Sequence, residues 1–215
     1  MPFIKLIYIL LATFFCIRLY FIYSFKKNNN PKTSYKGSIL GSPDTSKPLQ
    51  KKLDENPYDG LKRLAYSTQY SQLNLPAANG KEVLYGVIMD WDYQGKATIT
   101  LVAFRTGDVS LYFSTGAAIL GAGQHADVNT AGKAFIDKAE TLLANADPMD
   151  TALRTEKGVL KFYLLTNERK YAIKDKVDNV YNHTSPLSAM FEEANKLIGD
   201  IRTTEERMQQ QGGNH

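Results

Sequence analysis

Glycine is concentrated in one stretch of this chain, Thr115-Gly116-Ala117-Ala118-Ile119-Leu120-Gly121-Ala122-Gly123, which follows a strand-like run and precedes a helix-like one. In that position backbone N–H groups and a helix dipole can hold an anion. His125 stands two residues further on, Asp127 follows it, and Ser114 lies just before the stretch. Gly116, Gly121, Gly123, His125 and Ser114 therefore form the candidate ligand-binding set, and a serine or threonine with a histidine base would suit hydrolysis. The pattern is incomplete for either chemistry. Gly116-x4-Gly121-x-Gly123 lacks the Lys-Ser/Thr of a phosphate-binding P-loop, and Gly132-Lys133 falls inside the helical stripe. The parallel βαβ setting of a dinucleotide fingerprint is missing, as is a Gly-x-Ser-x-Gly nucleophile elbow. Glycines that permit positive φ or close backbone approach account for the stretch without any ligand. No residue is assigned a catalytic role.

Asp90-Trp91-Asp92 is the second constellation. Two carboxylates at i and i+2 on a strand share a face, as a hard-cation site requires, while Trp91 points the other way into the core. No third ligand accompanies them, and an acidic strand end entering the turn Tyr93-Gln94-Gly95-Lys96 explains the pair without a metal. No metal and no cofactor is expected. Tyr112, opposite in phase to Val109, Leu111 and Phe113, is a candidate partner-contact residue.

The elements that would position these groups follow from periodicity. Asn56-Pro57 reads as a cap and first helical residue, with Leu61, Leu64 and Ala65 as the apolar stripe. Three strands come next, the first with Val83, Tyr85, Val87, Met89 and Trp91 on one face, then 97–105 and 109–114, joined by short turns that make them antiparallel. Val128, Ala131, Phe135, Ala139, Leu142 and Leu143 recur at helical spacing. Strands at 159–165 and 171–173 flank the turn Asn167-Glu168-Arg169, and a last helix begins at Ser185-Pro186. The expected fold class is α+β, an α-βββ-α-ββ-α two-layer sandwich with an antiparallel sheet covered mainly on one side.

Residues 6–25, LIYILLATFFCIRLYFIYSF, contain one charge, Arg18, and are long enough at 1.5 Å per residue to span about 30 Å of hydrocarbon. Residues 1–25 are expected to be a retained membrane anchor contacting lipid, since no small-residue cleavage site follows. Residues 26–55 read as a basic flexible linker, 56–206 as the globular domain and 207–215 as a disordered tail. Between Lys26 and Asp54 there are seven Lys against Asp44 and Asp54, a net of +5. The lysines just after the apolar segment put the domain on the cytoplasmic side of a single-pass protein; they read first as a solvated stop-transfer cluster, the alternative being contact with anionic headgroups at about 1 kcal/mol each. From Glu55 onward 17 basic residues face 20 acidic ones, a net of −3, which argues against a nucleic-acid partner. The lone cysteine, Cys16, lies in the apolar segment, so the domain carries neither a disulfide framework nor a thiolate metal site.

At Gly86-Val87-Ile88-Met89-Asp90, at Ser110-Leu111-Tyr112-Phe113-Ser114-Thr115-Gly116 and at Gly121-Ala122-Gly123-Gln124-His125 the chain resembles a loose group of uncharacterised bacterial proteins, over about residues 55–145. The element order is similar to the type III secretion chaperone and YbjN-like layout, in which a small α/β sandwich binds other polypeptides and often dimerises. That resemblance implies a protein partner, with a second copy of the chain among the candidates, and assigns no residue. The expected function is a membrane-tethered, non-enzymatic binding or scaffold module. The alternative is a small-ligand or anion-binding domain, or a hydrolase, using the Gly116–Gly123 loop and His125.

Overall fold

Proline at the first helical position needs no N–H there, and helix α1 begins at that residue, Pro57–Ser67. The computed structural model describes residues 57–149 and 156–212. Of two units in the chain, Met1–Asp44 and Thr45–His215, the described residues belong to the second. The expected membrane anchor and linker lie outside the described residues, as do 213–215 of the expected tail. Among the described residues no helix is long and apolar enough to cross a membrane.

After α1 come β1 (Leu84–Tyr93), β2 (Ala97–Phe104), β3 (Val109–Phe113), β4 (Ala118–Ile119), α2 (Ala126–Ala139), β5 (Asp147–Pro148), β6 (Val159–Thr166), β7 (Lys170–Lys176), α3 (Val177–Tyr181) and α4 (Ser188–Gly212). The strands form one antiparallel sheet in the order β4-β3-β2-β1-β6-β7-β5. The β1–β2 turn is set by Gln94 and Gly95 at φ 56° and 66°, with the Lys96 N–H donating to the Tyr93 carbonyl at 3.1 Å. Two consecutive positive φ values match the right-handed twist of the flanking strands.

One sheet face presents Leu84, Val87, Met89 and Trp91 to α2 (Val128, Phe135, Ile136), to Leu187 and to α4 (Phe191, Leu197, Ile201). A register shift between Leu84 and Gly86 puts Leu84 and Val87 on that same face. The other face, Tyr85, Ile88, Val102, Tyr112, Tyr163 and Leu165, packs under Tyr58 and Ala65 of α1 and the chain that follows it. The sheet is therefore covered on both sides, three layers instead of the expected two. The reason is visible in β1 and β6, whose residues are buried in both phases, the composition of strands sandwiched from each side. Tyr112 is buried beneath α1, so it is not the exposed contact residue that its phase suggested.

The last helix also runs further than expected. Residues 207–212 continue α4 where a tail was predicted, because Arg207, Met208 and the glutamines after them are good helix formers.

Candidate functional site

The glycine-rich segment is built from three short devices. Gly116, at φ 99°, turns β3 into β4: its N–H donates to the Phe113 carbonyl, and the Phe113 N–H donates to the Ala117 carbonyl, both at 2.9 Å. Gly121, at φ 69°, opens a 3-10 turn over Ala122–Gln124. Gly123 sits against the β2–β3 turn, where a Cβ would collide with the Gly107 carbonyl oxygen. The first and second need positive φ and the third needs close approach, which is what the sequence allows glycine alone to supply.

His125 is the residue before α2 and caps it only through its backbone, its carbonyl accepting from the Asn129 N–H at 2.8 Å. The Asn129 side-chain amide donates to the Gly123 carbonyl at 3.1 Å and the Thr106 carbonyl at 3.5 Å, fastening this corner to the β2–β3 turn. Ser114 belongs to the other end of β3. Its hydroxyl accepts from the Thr98 N–H and its own N–H donates to the Thr98 carbonyl, each at 2.9 Å. With β3 spanning five residues between these ends, Ser114 and the His125 corner stand about 17 Å apart along the strand. The fold does not bring the proposed nucleophile to the histidine.

Asp127 is occupied as well. Its Oδ1 accepts from the Val128 N–H at 3.0 Å, and its Oδ2 lies 3.4 Å from the Thr204 hydroxyl and 3.5 Å from the Arg207 guanidinium. The Val128 N–H first, then its own N–H and the Arg207 charge, hold this carboxyl below the usual aspartate range. The positive end of the α2 dipole is thereby matched by a carboxylate of the chain itself.

Asp90 and Asp92 have protein donors in place of a cation. Asp90 is buried at 3% exposure and forms an ion pair with Lys62 of α1, itself 3% exposed. Thr100 donates to Asp90 Oδ1 at 2.7 Å, Tyr163 donates to Oδ2 at 3.2 Å, and Tyr58 shares a 2.8 Å hydrogen bond with Thr100. The Lys62 ammonium also stands 5.7 and 5.8 Å from the centroids of the Tyr58 and Tyr163 rings. Burial, then the Asp90 carboxylate, push the Tyr163 hydroxyl far above its ordinary pKa. Asp92 accepts the Gly158 N–H at 2.6 Å. Asp92 is the penultimate residue of β1, at the strand end that enters the turn as expected, with Asp90 two residues further in, and both also anchor neighbours, α1 through Lys62 and the residue before β6 through Gly158. The Lys62 partner was missed because it is 28 residues away on a helix whose expected buried stripe was apolar. Trp91 does point into the core on the opposite face, its indole N–H donating to the Tyr181 hydroxyl at 3.0 Å.

Comparison with known proteins gives no match, whether to a family model, a curated protein or a solved structure. The chain's own geometry carries the functional reading. Among the described residues no group of three or more His, Cys, Asp or Glu is placed to hold a metal ion.

What the glycine-rich segment does present is a sheet edge, since among the described residues no strand pairs beyond β4. Ala117 and Gly121 turn their backbones inward, toward the Phe113 N–H and the Ser110 hydroxyl, and Ile119 stands opposite Leu111. Alternation along the strand aims the N–H and C=O of Ala118 outward, with Leu120 in the same phase. Ala117 and Ala118 are exposed and Leu120 is 40% exposed. From Val109 to Ala126 there is no Asp, Glu, Lys or Arg.

The opposite edge is guarded. Pro148 in β5 offers no N–H, and β7 carries Lys170, Lys174 and Lys176. The Lys176 N–H is already taken by Asp175 Oδ1 at 2.7 Å. Charge and proline are among the usual means of keeping an edge from pairing, and β4 has neither, its short length of two residues being the one such device it shows.

Proposed function

We propose that the chain is a membrane-tethered, non-enzymatic protein-binding module whose β4 edge receives another polypeptide strand. The uncharged β4 edge, unpaired among the described residues, carries this reading. Strand addition takes affinity from main-chain hydrogen bonds and specificity from side chains, and Ala118 offers the first while the exposed Leu120 offers the second. The tethering half rests on the apolar run 6–25 and the lysines that follow it, which also favour a cytoplasmic position for the domain.

A photoreactive phenylalanine at position 120 of the full chain, irradiated in native membranes, is expected to give a polypeptide adduct. The same probe at Lys174 on the guarded edge is expected to give none. Absence of an adduct at 120, or equal adducts at both positions, would remove the support for this reading.

A further inference from the structure

We infer that the occupant of the β4 edge is β4 of a second copy of this chain, paired antiparallel about a two-fold axis through Ala118. The inference rests on the binding-module reading above and names its partner. An isologous antiparallel contact sets each residue against the one equally far from the axis on the other copy, so an edge carrying several charges of one sign meets like charge across the axis. Residues 109–126 carry no such charge, whereas the same operation at β7 would set Lys174 and Lys176 against each other.

Backbone phase supports the axis at Ala118. A residue whose N–H and C=O both face outward can exchange two reciprocal hydrogen bonds with its symmetry mate, the hydrogen-bonded type of antiparallel pair. The inward bonds of Ala117 and Gly121 remain intact in that arrangement. Alanine at 117 and 118 keeps the side chains there small, while Leu120, 40% exposed, brings apolar surface to the seam and Ile119 packs against the domain's own core. The result is one continuous sheet across two domains. Two strands of this length bury little area, so the contact is weak for freely diffusing copies. Anchoring both copies to one membrane raises their effective concentration enough for a weak contact to be occupied.

The test uses the full chain, with Cys16→Ser to remove its only thiol, reconstituted in lipid vesicles. In that background Ala118→Cys is expected to form an intermolecular disulfide under mild oxidation, since opposed Cα atoms about 5.5 Å apart permit one. Lys174→Cys is expected to give at least ten-fold less. In detergent, sedimentation equilibrium of the full chain is expected to show a monomer–dimer equilibrium that Ala118→Pro weakens at least ten-fold. Proline there removes only the outward N–H, and Ala118→Lys, which keeps the backbone and adds charge, is expected to match it if the proline variant unfolds. Equal cross-linking at 118 and 174, or a dimer indifferent to both variants, overturns the inference. A photo-adduct at position 120 with a different polypeptide also overturns it while leaving the binding-module reading standing. No adduct of any kind removes both.

Discussion

Taking the ammonium from Lys62 leaves Asp90 as a buried carboxylate with two hydroxyl donors and no countercharge. Lys62→Met is therefore expected to cost about 3–5 kcal/mol, measured by denaturant unfolding of the full chain. Lys62→Met with Asp90→Leu is expected to recover most of that loss, because removing both partners eliminates the uncompensated charge. A double variant as unstable as the single would show that the ion pair is not what the site depends on. Gly123→Ala is expected to cost about 1–3 kcal/mol by forcing the Gly107 carbonyl aside. Little of this was legible residue by residue. Gly95 and the turn around it could be read, because a positive-φ turn has a local signature. The Lys62–Asp90 pair could not, because a lysine on a short helix reads as solvated until its partner strand is known. Tyr112 misled for a related reason: alternation separates two faces without saying whether the second is covered.

Elements were more legible than contacts. The order of the longer strands and helices follows periodicity, and hairpin turns of a few residues fix which strands are neighbours. What escaped was short or doubly covered. β4 and β5 have two residues each, too few for a period, and α3 has five. The apolar filling of both phases in β1 and β6 was the available sign of a third layer. Asp175 shows how one short element is held. Its carboxylate accepts from the Asn179 amide at 2.8 Å and from the Lys176 N–H, at the entry to α3. Hydrogen bonds from Ser185 and then Asn179 keep it below the usual aspartate range. A carboxyl depressed in the folded state adds stability that is fully present above its unfolded pKa of about 3.9 and is lost as pH falls through the lower folded value. Asp175→Asn is thus expected to flatten that acid limb of the stability profile below about pH 4, leaving the remaining titration unchanged. An unaltered limb in urea titrations across this range would contradict the role given to Asp175.

At the scale of the whole molecule, two asymmetries define the account. The chain is basic between 26 and 54 and mildly acidic beyond, and among the described residues the sheet is guarded at β7 and unpaired at β4. The first asymmetry can be counted in the sequence. The second needed the sheet order, because the glycines of 116–123 invite an anion-loop reading until β4 is seen to pair with β3. Their chemistry lies in turning the chain so that Ala118 faces outward.

Amide hydrogen exchange at Ala118 tests that claim most directly. With the full chain in vesicles at two surface densities, the Ala118 amide is expected to exchange at least ten-fold more slowly at high density, while the Lys174 amide on the other edge exchanges equally in both. An Ala118 amide that exchanges freely at every density would contradict the assignment of β4 as the surface where two copies meet.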